Sequence, residues 1–144
     1  MDMILILYVD DLLLLGEDLS KIEDVKHQLG KLYQMKDLRP ASSYLGIWIT
    51  RDRNTRAIWI DQEAHIENAL KRFKLQDANN TKTPLPAGVH LKKSEVPVAL
   101  NTKTYYQQII RMLIYAAIGT SHNIAFVATR LSQFNNNPTE EHIK

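Results

Sequence analysis

Apolar residues open the chain in two short runs, Met3-Ile4-Leu5-Ile6-Leu7 and Leu12-Leu13-Leu14-Leu15, split by Tyr8-Val9-Asp10-Asp11. Aliphatic runs of this length around a polar break predict two antiparallel strands, 5–9 and 12–16, turning at Asp10-Asp11. Ser20-Lys21-Ile22-Glu23 then has the form of a capping box, and Ile22, Val25, Leu29 and Leu32 follow at helical spacing. Together they predict an amphipathic helix over 20–34. Strand-like runs at 43–51 and 57–61 flank the polar link Asp52-Arg53-Asn54-Thr55-Arg56 and predict a second hairpin. Asp61 is placed to cap a helix over 62–73, in which Ile66, Ala69, Leu70 and Phe73 make one apolar stripe.

Periodicity lapses over 76–103, where Pro84, Pro86, Gly88 and Pro97 read as a linker between two subregions. Beyond it, Thr104-Tyr105-Tyr106-Gln107 resembles another capping box and opens a helix to about 118. Ile124, Val127, Ala128 and Leu131 mark a further helix over 121–134. Pro138-Thr139-Glu140-Glu141 has the form of a helix start with acids in its first turn, where the dipole favours them. The sequence stops soon after, which suggests a fragment. The expected fold class is α+β: antiparallel hairpins packed on a helix over 1–75, the linker 76–103, and a helical region over 104–144 truncated at its C-terminus.

Chemistry concentrates in the first hairpin. Two adjacent carboxylates in a buried hairpin cost several kcal/mol unless a cation compensates them, and a divalent metal is the strongest compensator. Mg²⁺ binds through one or two carboxylates and completes its shell with water and substrate phosphates. Asp is also an ordinary turn former, so the pair alone leaves a plain surface turn open. The preceding aromatic and the fully apolar flanks are what such a turn does not need.

Charge sharpens this picture. The net charge of +2 hides an acidic opening segment (Asp2, Asp10, Asp11, Glu17, Asp18, Glu23, Asp24 against Lys21) followed by basic ones. Lys26, Lys31, Lys36, Arg39, Arg51, Arg53 and Arg56 outnumber the acids of 26–56, and Lys71, Arg72 and Lys74 open a second basic stretch. An acidic tip beside basic segments suits a metal site next to a polyanion track, while solvated helix faces account for the same charges more plainly. There is no cysteine, hence no disulfide and no thiolate metal site. Neither a signal peptide nor a membrane span is evident and no membrane partner is expected, while the lack of cysteine suits a reducing intracellular compartment, cytoplasmic or nuclear. The five histidines lack metal-ligand spacing, and Tyr105, Tyr106 and Tyr115 sit on a helix expected to pack its aromatics.

The order of motifs then carries a resemblance. Leu7-Tyr8-Val9-Asp10-Asp11-Leu12-Leu13-Leu14, Gln34-Met35-Lys36-Asp37-Leu38, Tyr44-Leu45-Gly46-Ile47 with Thr50-Arg51-Asp52-Arg53, Thr83-Pro84-Leu85, and Asn137-Pro138-Thr139-Glu140-Glu141-His142 follow one another along nearly the whole chain. In that order they resemble the reverse transcriptase of Ty1/copia-type retrotransposons, a part of the Pol polyprotein. The resemblance implies an RNA-dependent DNA polymerase of fingers, palm and thumb, acting on an RNA/DNA template-primer and a deoxynucleotide. It implies Mg²⁺ (or Mn²⁺) as cofactor, Asp10 as the direct metal ligand, Asp11 as the second catalytic carboxylate and Tyr8 beside the primer end. Residues 43–61 resemble the hairpin that grips the primer, with Arg51 and Arg53, and further on Lys71, Arg72 and Lys74, toward the nucleic-acid backbone. The resemblance also offers Trp48 and Trp59 as contacts to phosphates or sugars, but core packing is the expected role for both.

Departures accompany the resemblance. Ile110-Arg111-Met112-Leu113-Ile114-Tyr115 stands where the family has a Gly-Ser-Leu-Met-Tyr-like run, Ser121-His122-Asn123-Ile124 where Arg-Pro-Asp-Ile is typical, and Ile143 where tryptophan is usual. The family also uses a third palm carboxylate from an earlier strand. Asp2 does not substitute for it, lying roughly 26 Å from Asp10 along an extended strand at about 3.3 Å per residue. The expectation is a palm and thumb fragment inactive alone, needing the remainder of the palm and the fingers. The alternative is a non-catalytic nucleic-acid or protein binding remnant.

Overall fold

The computed structural model describes residues 3–85, 88, 91–93 and 97–143. It is a mixed α+β chain with two small sheets and four α-helices among those residues. Two compact units divide it, Met1–Ile60 and Asp61–Lys144.

The first unit opens with β1 (Ile4–Tyr8) and β2 (Asp11–Leu15), antiparallel with Tyr8 opposite Asp11 and Ile4 opposite Leu15. The turn is therefore Val9-Asp10, not Asp10-Asp11, and Asp11 begins the second strand. Two-residue hairpin turns need positive φ to match the strand twist, and Val9 supplies it at φ 55°, an uncommon state for a β-branched residue. Helix α1 (Leu19–Leu32) is capped by Asp18, whose Oδ1 accepts from Ser20 N at 3.0 Å and Lys21 N at 3.3 Å. The box expected at Ser20–Glu23 is not the cap, because Asp18 caps the helix two residues earlier and leaves Ser20 inside its first turn. Ile22 Cδ1 comes within 3.5 Å of where a side chain on Gly16 would stand, yet no residue of α1 is buried. Lys26 pairs with Glu23 at 2.8 Å and Asp37 at 3.2 Å, tying the 34–39 segment back to this helix.

The run 43–51 is two strands, not one. β3 (Ser43–Tyr44) and β4 (Ile47–Asp52) pair antiparallel across Leu45-Gly46, whose φ values of 50° and 77° are the two positive angles of a type I′ turn. β5 (Ala57–Asp61) completes a sheet of order β3-β4-β5.

In the second unit, α2 (Glu63–Phe73) follows Gln62, and Asp61 Oδ1 accepts from Glu63 N at 3.2 Å. The helix closes with Lys74 at φ 57°, Lys74 N on Lys71 O at 3.2 Å and Leu75 N on Leu70 O at 2.8 Å, a Schellman ending with lysine where glycine is usual. Helix α3 (Leu100–Gly119) begins four residues before the expected Thr104, since nothing in Leu100-Asn101-Thr102-Lys103 breaks a helix. The helix expected over 121–134 is a 3₁₀ turn (His122–Ile124) running into α4 (Ala125–Ser132). The start expected at 138 makes one 3₁₀ turn, Glu140–His142, with Thr139 and His142 capping each other.

The core lies in this unit. Tyr106, Ile110 and Phe134 form it, flanked by Leu91, Leu113, Ile114, Leu131 and Ile143. The Tyr106 hydroxyl donates to Leu131 O at 2.8 Å, joining α3 to α4, and burial pushes its pKa up to about 12. Helix α2 lies antiparallel on α3 through His65 against Tyr115 (4.5 Å between rings) and Phe73 against Tyr105 (5.5 Å). Gln62 is the seam's buried polar residue: its Oε1 accepts from Thr120 Oγ1 at 3.0 Å and its Nε2 donates to Tyr115 O at 3.4 Å.

Candidate metal and nucleic-acid site

The hairpin tip holds the acidic pair in a fixed way. Asp10 is the second turn residue and Asp11 the first of β2, so the β ladder sets the second carboxylate while the turn sets the first. Tyr8 faces Asp11 across the hairpin. Both carboxylates are exposed, and neither has a hydrogen-bond or ion-pair partner among the described residues. Every residue of β1 is exposed as well. The burial expected for this hairpin is therefore absent, and desolvation of the pair is not what calls for a metal here.

What remains is the donor set. Two adjacent carboxylates with no competing cation, open to solvent on a short turn, fit a hard cation that keeps several waters and takes one or two protein oxygens. Among the described residues no group of three or more His, Cys, Asp or Glu side chains gathers around a common point.

The predicted basic residues fall in two places. Arg51 lies on β4 and Arg53 in the link after it, both exposed in the first unit. Lys71 and Arg72 close α2 and Lys74 follows in the second unit. Lys71 meets Glu67 at 3.4 Å, and Arg72 Nη2 donates to Gln108 Oε1 at 2.9 Å, so both already have protein partners. Such exposed contacts hold a side chain only weakly. Arg56, in the same link as Arg53 and at φ 57°, is a further exposed cation, and the polar link that holds it is evident in the sequence.

The tryptophans depart from expectation. Trp48 is 50% exposed and Trp59 54%, so neither is core. The histidines behave as packing or surface groups; His142 stacks on Phe134 at 4.1 Å and accepts from Thr139 N through Nδ1 at 2.7 Å. His90 lies outside the described residues. Gln62 had no sequence signal, because glutamine at a helix start is not a preferred cap. Among the described residues no helix is long and apolar enough to cross a membrane.

The family model for reverse transcriptase (RNA-dependent DNA polymerase) matches residues 1–87. The chain is 38% identical to the retrovirus-related Pol polyprotein from transposon TNT 1-94 of Nicotiana tabacum, over 96% of this chain and 11% of that protein. It is 31% identical to a putative transposon Ty5-1 protein of Saccharomyces cerevisiae, over 95% of this chain and 44% of the other. A third relative is the Pol polyprotein from transposon RE1 of Arabidopsis thaliana, 29% identical over 97% of this chain and 9% of its own length. The chain thus spans about a tenth of the Pol polyproteins it matches. No solved structure matches it. The chain belongs to the reverse transcriptase (RNA-dependent DNA polymerase) family of Ty1/copia-type retrotransposon Pol polyproteins.

Proposed function

We propose that the chain is the part of an RNA-dependent DNA polymerase that carries the palm metal hairpin and the first helices of the thumb and connecting region. Asp10 and Asp11 hold Mg²⁺ or Mn²⁺, Asp10 as the direct ligand, and Tyr8 stands beside the primer end. The observation that carries this reading is the pair of unpartnered carboxylates at the end of a two-residue hairpin whose register sets Tyr8 opposite Asp11. A metal bound there supplies charge neutralisation for the transferring phosphate and activation of a primer hydroxyl. The chain's own contribution is to hold two oxygen donors on a short, laddered turn and to present cations for the nucleic-acid backbone. Those cations are Arg51, Arg53, Lys71, Arg72 and Lys74, and the ligands are the template-primer and a deoxynucleotide.

In this reading the chain does not polymerise by itself. Its hairpin leaves Ile4, Leu7 and Val9 open to water, apolar surface of the kind that marks an interface with the remainder of the palm and the fingers. Primer extension on a primed RNA template with Mg²⁺ tests this. The isolated chain is expected to give no product. Combining it with the polyprotein segment that precedes the matched region in the tobacco relative is expected to give DNA synthesis, abolished by Asp10→Asn or Asp11→Asn. Synthesis by the chain alone contradicts the dependence on other segments. Synthesis by the combined segments that survives both substitutions contradicts the site.

A further inference from the structure

Gln107, Ile110, Arg111 and Ile114 recur on α3 at intervals of three and four, so they share one stripe of that helix. With Asn135, in the turn after α4, they line a cavity of about 290 Å³. That is the small end of ligand pockets, which run from roughly 300 to 1,000 Å³, so the cavity takes an end group and not a long segment. Gln107 Nε2 donates to Asn135 O at 3.0 Å, which ties the turn to the helix and holds the backbone from which the Asn135 side chain starts. Asn135 Oδ1 is buried and has no hydrogen-bond partner among the described residues. A carboxamide oxygen taken out of water without a donor is unfavourable, and in the wall of a cavity it invites an N–H from outside. Arg111 is the one charged group of the lining; it is exposed and meets no carboxylate among the described residues. Ile110, buried, and Ile114, half-buried, supply the apolar wall.

We infer that this cavity holds the last residue of a polypeptide that ends in an aliphatic side chain. Its α-carboxylate pairs with the Arg111 guanidinium, its amide N–H donates to Asn135 Oδ1, and its side chain lies against Ile110 and Ile114. A chain end combines an anion, a donor and an apolar group within a single residue, and the lining offers one complement to each. A nucleic-acid strand matches the lining less well, because its phosphates bring no donor for a carboxamide oxygen and are gripped by several cations instead of one. The cavity lies wholly in the second unit and uses neither the acidic pair nor the cations proposed for the template-primer, so the inference stands or falls apart from the polymerase reading.

N-acetyl-leucine carries all three groups, and N-acetyl-leucinamide lacks only the charge. Each is titrated into the full chain while nuclear magnetic resonance follows the side-chain amides of Gln107 and Asn135. The acid is expected to shift both saturably, with a dissociation constant on the order of 1 mM for so small a ligand. The amide is expected to bind roughly ten-fold more weakly or worse. An acetylated tripeptide ending in leucine is expected to match the acid, since only its last residue enters. Arg111→Gln is expected to weaken binding of the acid roughly ten-fold or more with circular dichroism unchanged, because this side chain is exposed. Arg111→Lys keeps the charge without the two-pronged geometry and falls between. Asn135→Asp sets a second carboxylate against that of the ligand and is expected to abolish binding. Equal binding of acid and amide, or full binding to the Arg111→Gln chain, overturns the assignment. So does a tripeptide that fails where N-acetyl-leucine binds, which confines the cavity to small carboxylates. Shifts from a short oligonucleotide that vanish with Arg111→Gln, with none from the acid, overturn it in favour of a phosphate contact. The absence of any shift at about ten times the expected dissociation constant overturns it as well.

Discussion

The two units differ in where their apolar residues go. In the second, Tyr106 and Ile110 are each 1% exposed and Phe134 5%, and α3 and α4 with Leu91 and Ile143 close around them. In the first, every fully buried apolar side chain is missing among the described residues, while Leu7 is 64% and Val9 82% exposed. The strands of the first unit have the more hydrophobic sequence and the worse burial. Helices with one apolar stripe satisfy themselves by packing on each other, whereas a two-stranded hairpin with apolar residues on both faces needs a layer on each side. The proposed metal site thus lies in the unit least able to cover its own apolar surface.

The largest test of this contrast is a pair of truncations. Ile110→Ala is expected to cost about 2–5 kcal/mol in urea unfolding, by lost transfer energy and a cavity in the core. Leu7→Ala is expected to stay within about 0.5 kcal/mol, because that side chain is already in water. A large cost for Leu7→Ala breaks the contrast.

A smaller effect is expected at the α2–α3 seam. A side chain at Gly119 runs into the buried Gln62 carboxamide. Gly119→Ala is therefore expected to destabilise the second unit by about 1–3 kcal/mol, measured by thermal unfolding. Loss of less than that means the carboxamide moves aside, and that the seam is looser than its hydrogen bonds suggest.

In the first unit the sign reverses. Val9→Gly removes a β-branched residue from φ 55° and is expected to stabilise the hairpin by about 1 kcal/mol, read as slower amide exchange in β1 and β2. The smallest effect concerns pH. Burial, partly opposed by Glu141, holds the His142 imidazole below its ordinary value of 6.5. The unfolded chain then takes up the proton first as pH falls, so stability of the second unit is complete above about 6.5 and declines below it. His142→Gln is expected to flatten that decline, as followed by unfolding midpoints between neutral and mildly acid pH.

Much of this was legible in the sequence, and the failures have physical reasons. Unbroken aliphatic runs and helical apolar spacing located β1, β2, α1 and α2 to within a few residues, because local propensity and the polar breaks between runs set these elements even where little of them is buried. The turn slipped by one residue since either Val9-Asp10 or Asp10-Asp11 closes the same apolar runs, and only the Tyr8–Asp11 ladder decides between them. Leu45-Gly46 hid a turn inside a strand-like run, because a leucine at φ 50° carries no turn signature. Tyr8, Asp10 and Asp11 stand out in the sequence as a candidate site through their isolation among aliphatics. The openness of Trp48 and Trp59 was not, because exposure depends on which layers cover a sheet and not on the residues themselves.

We propose that Asp10 and Asp11 form a divalent cation site on the hairpin tip. Binding of Mn²⁺ to the full chain, followed by electron paramagnetic resonance of the free ion, tests it most directly. The account predicts binding by the unaltered chain that is lost in Asp10→Asn with Asp11→Asn, while tryptophan emission and circular dichroism stay unchanged. Mn²⁺ binding of equal strength in the doubly substituted chain, or none in the unaltered one, contradicts it.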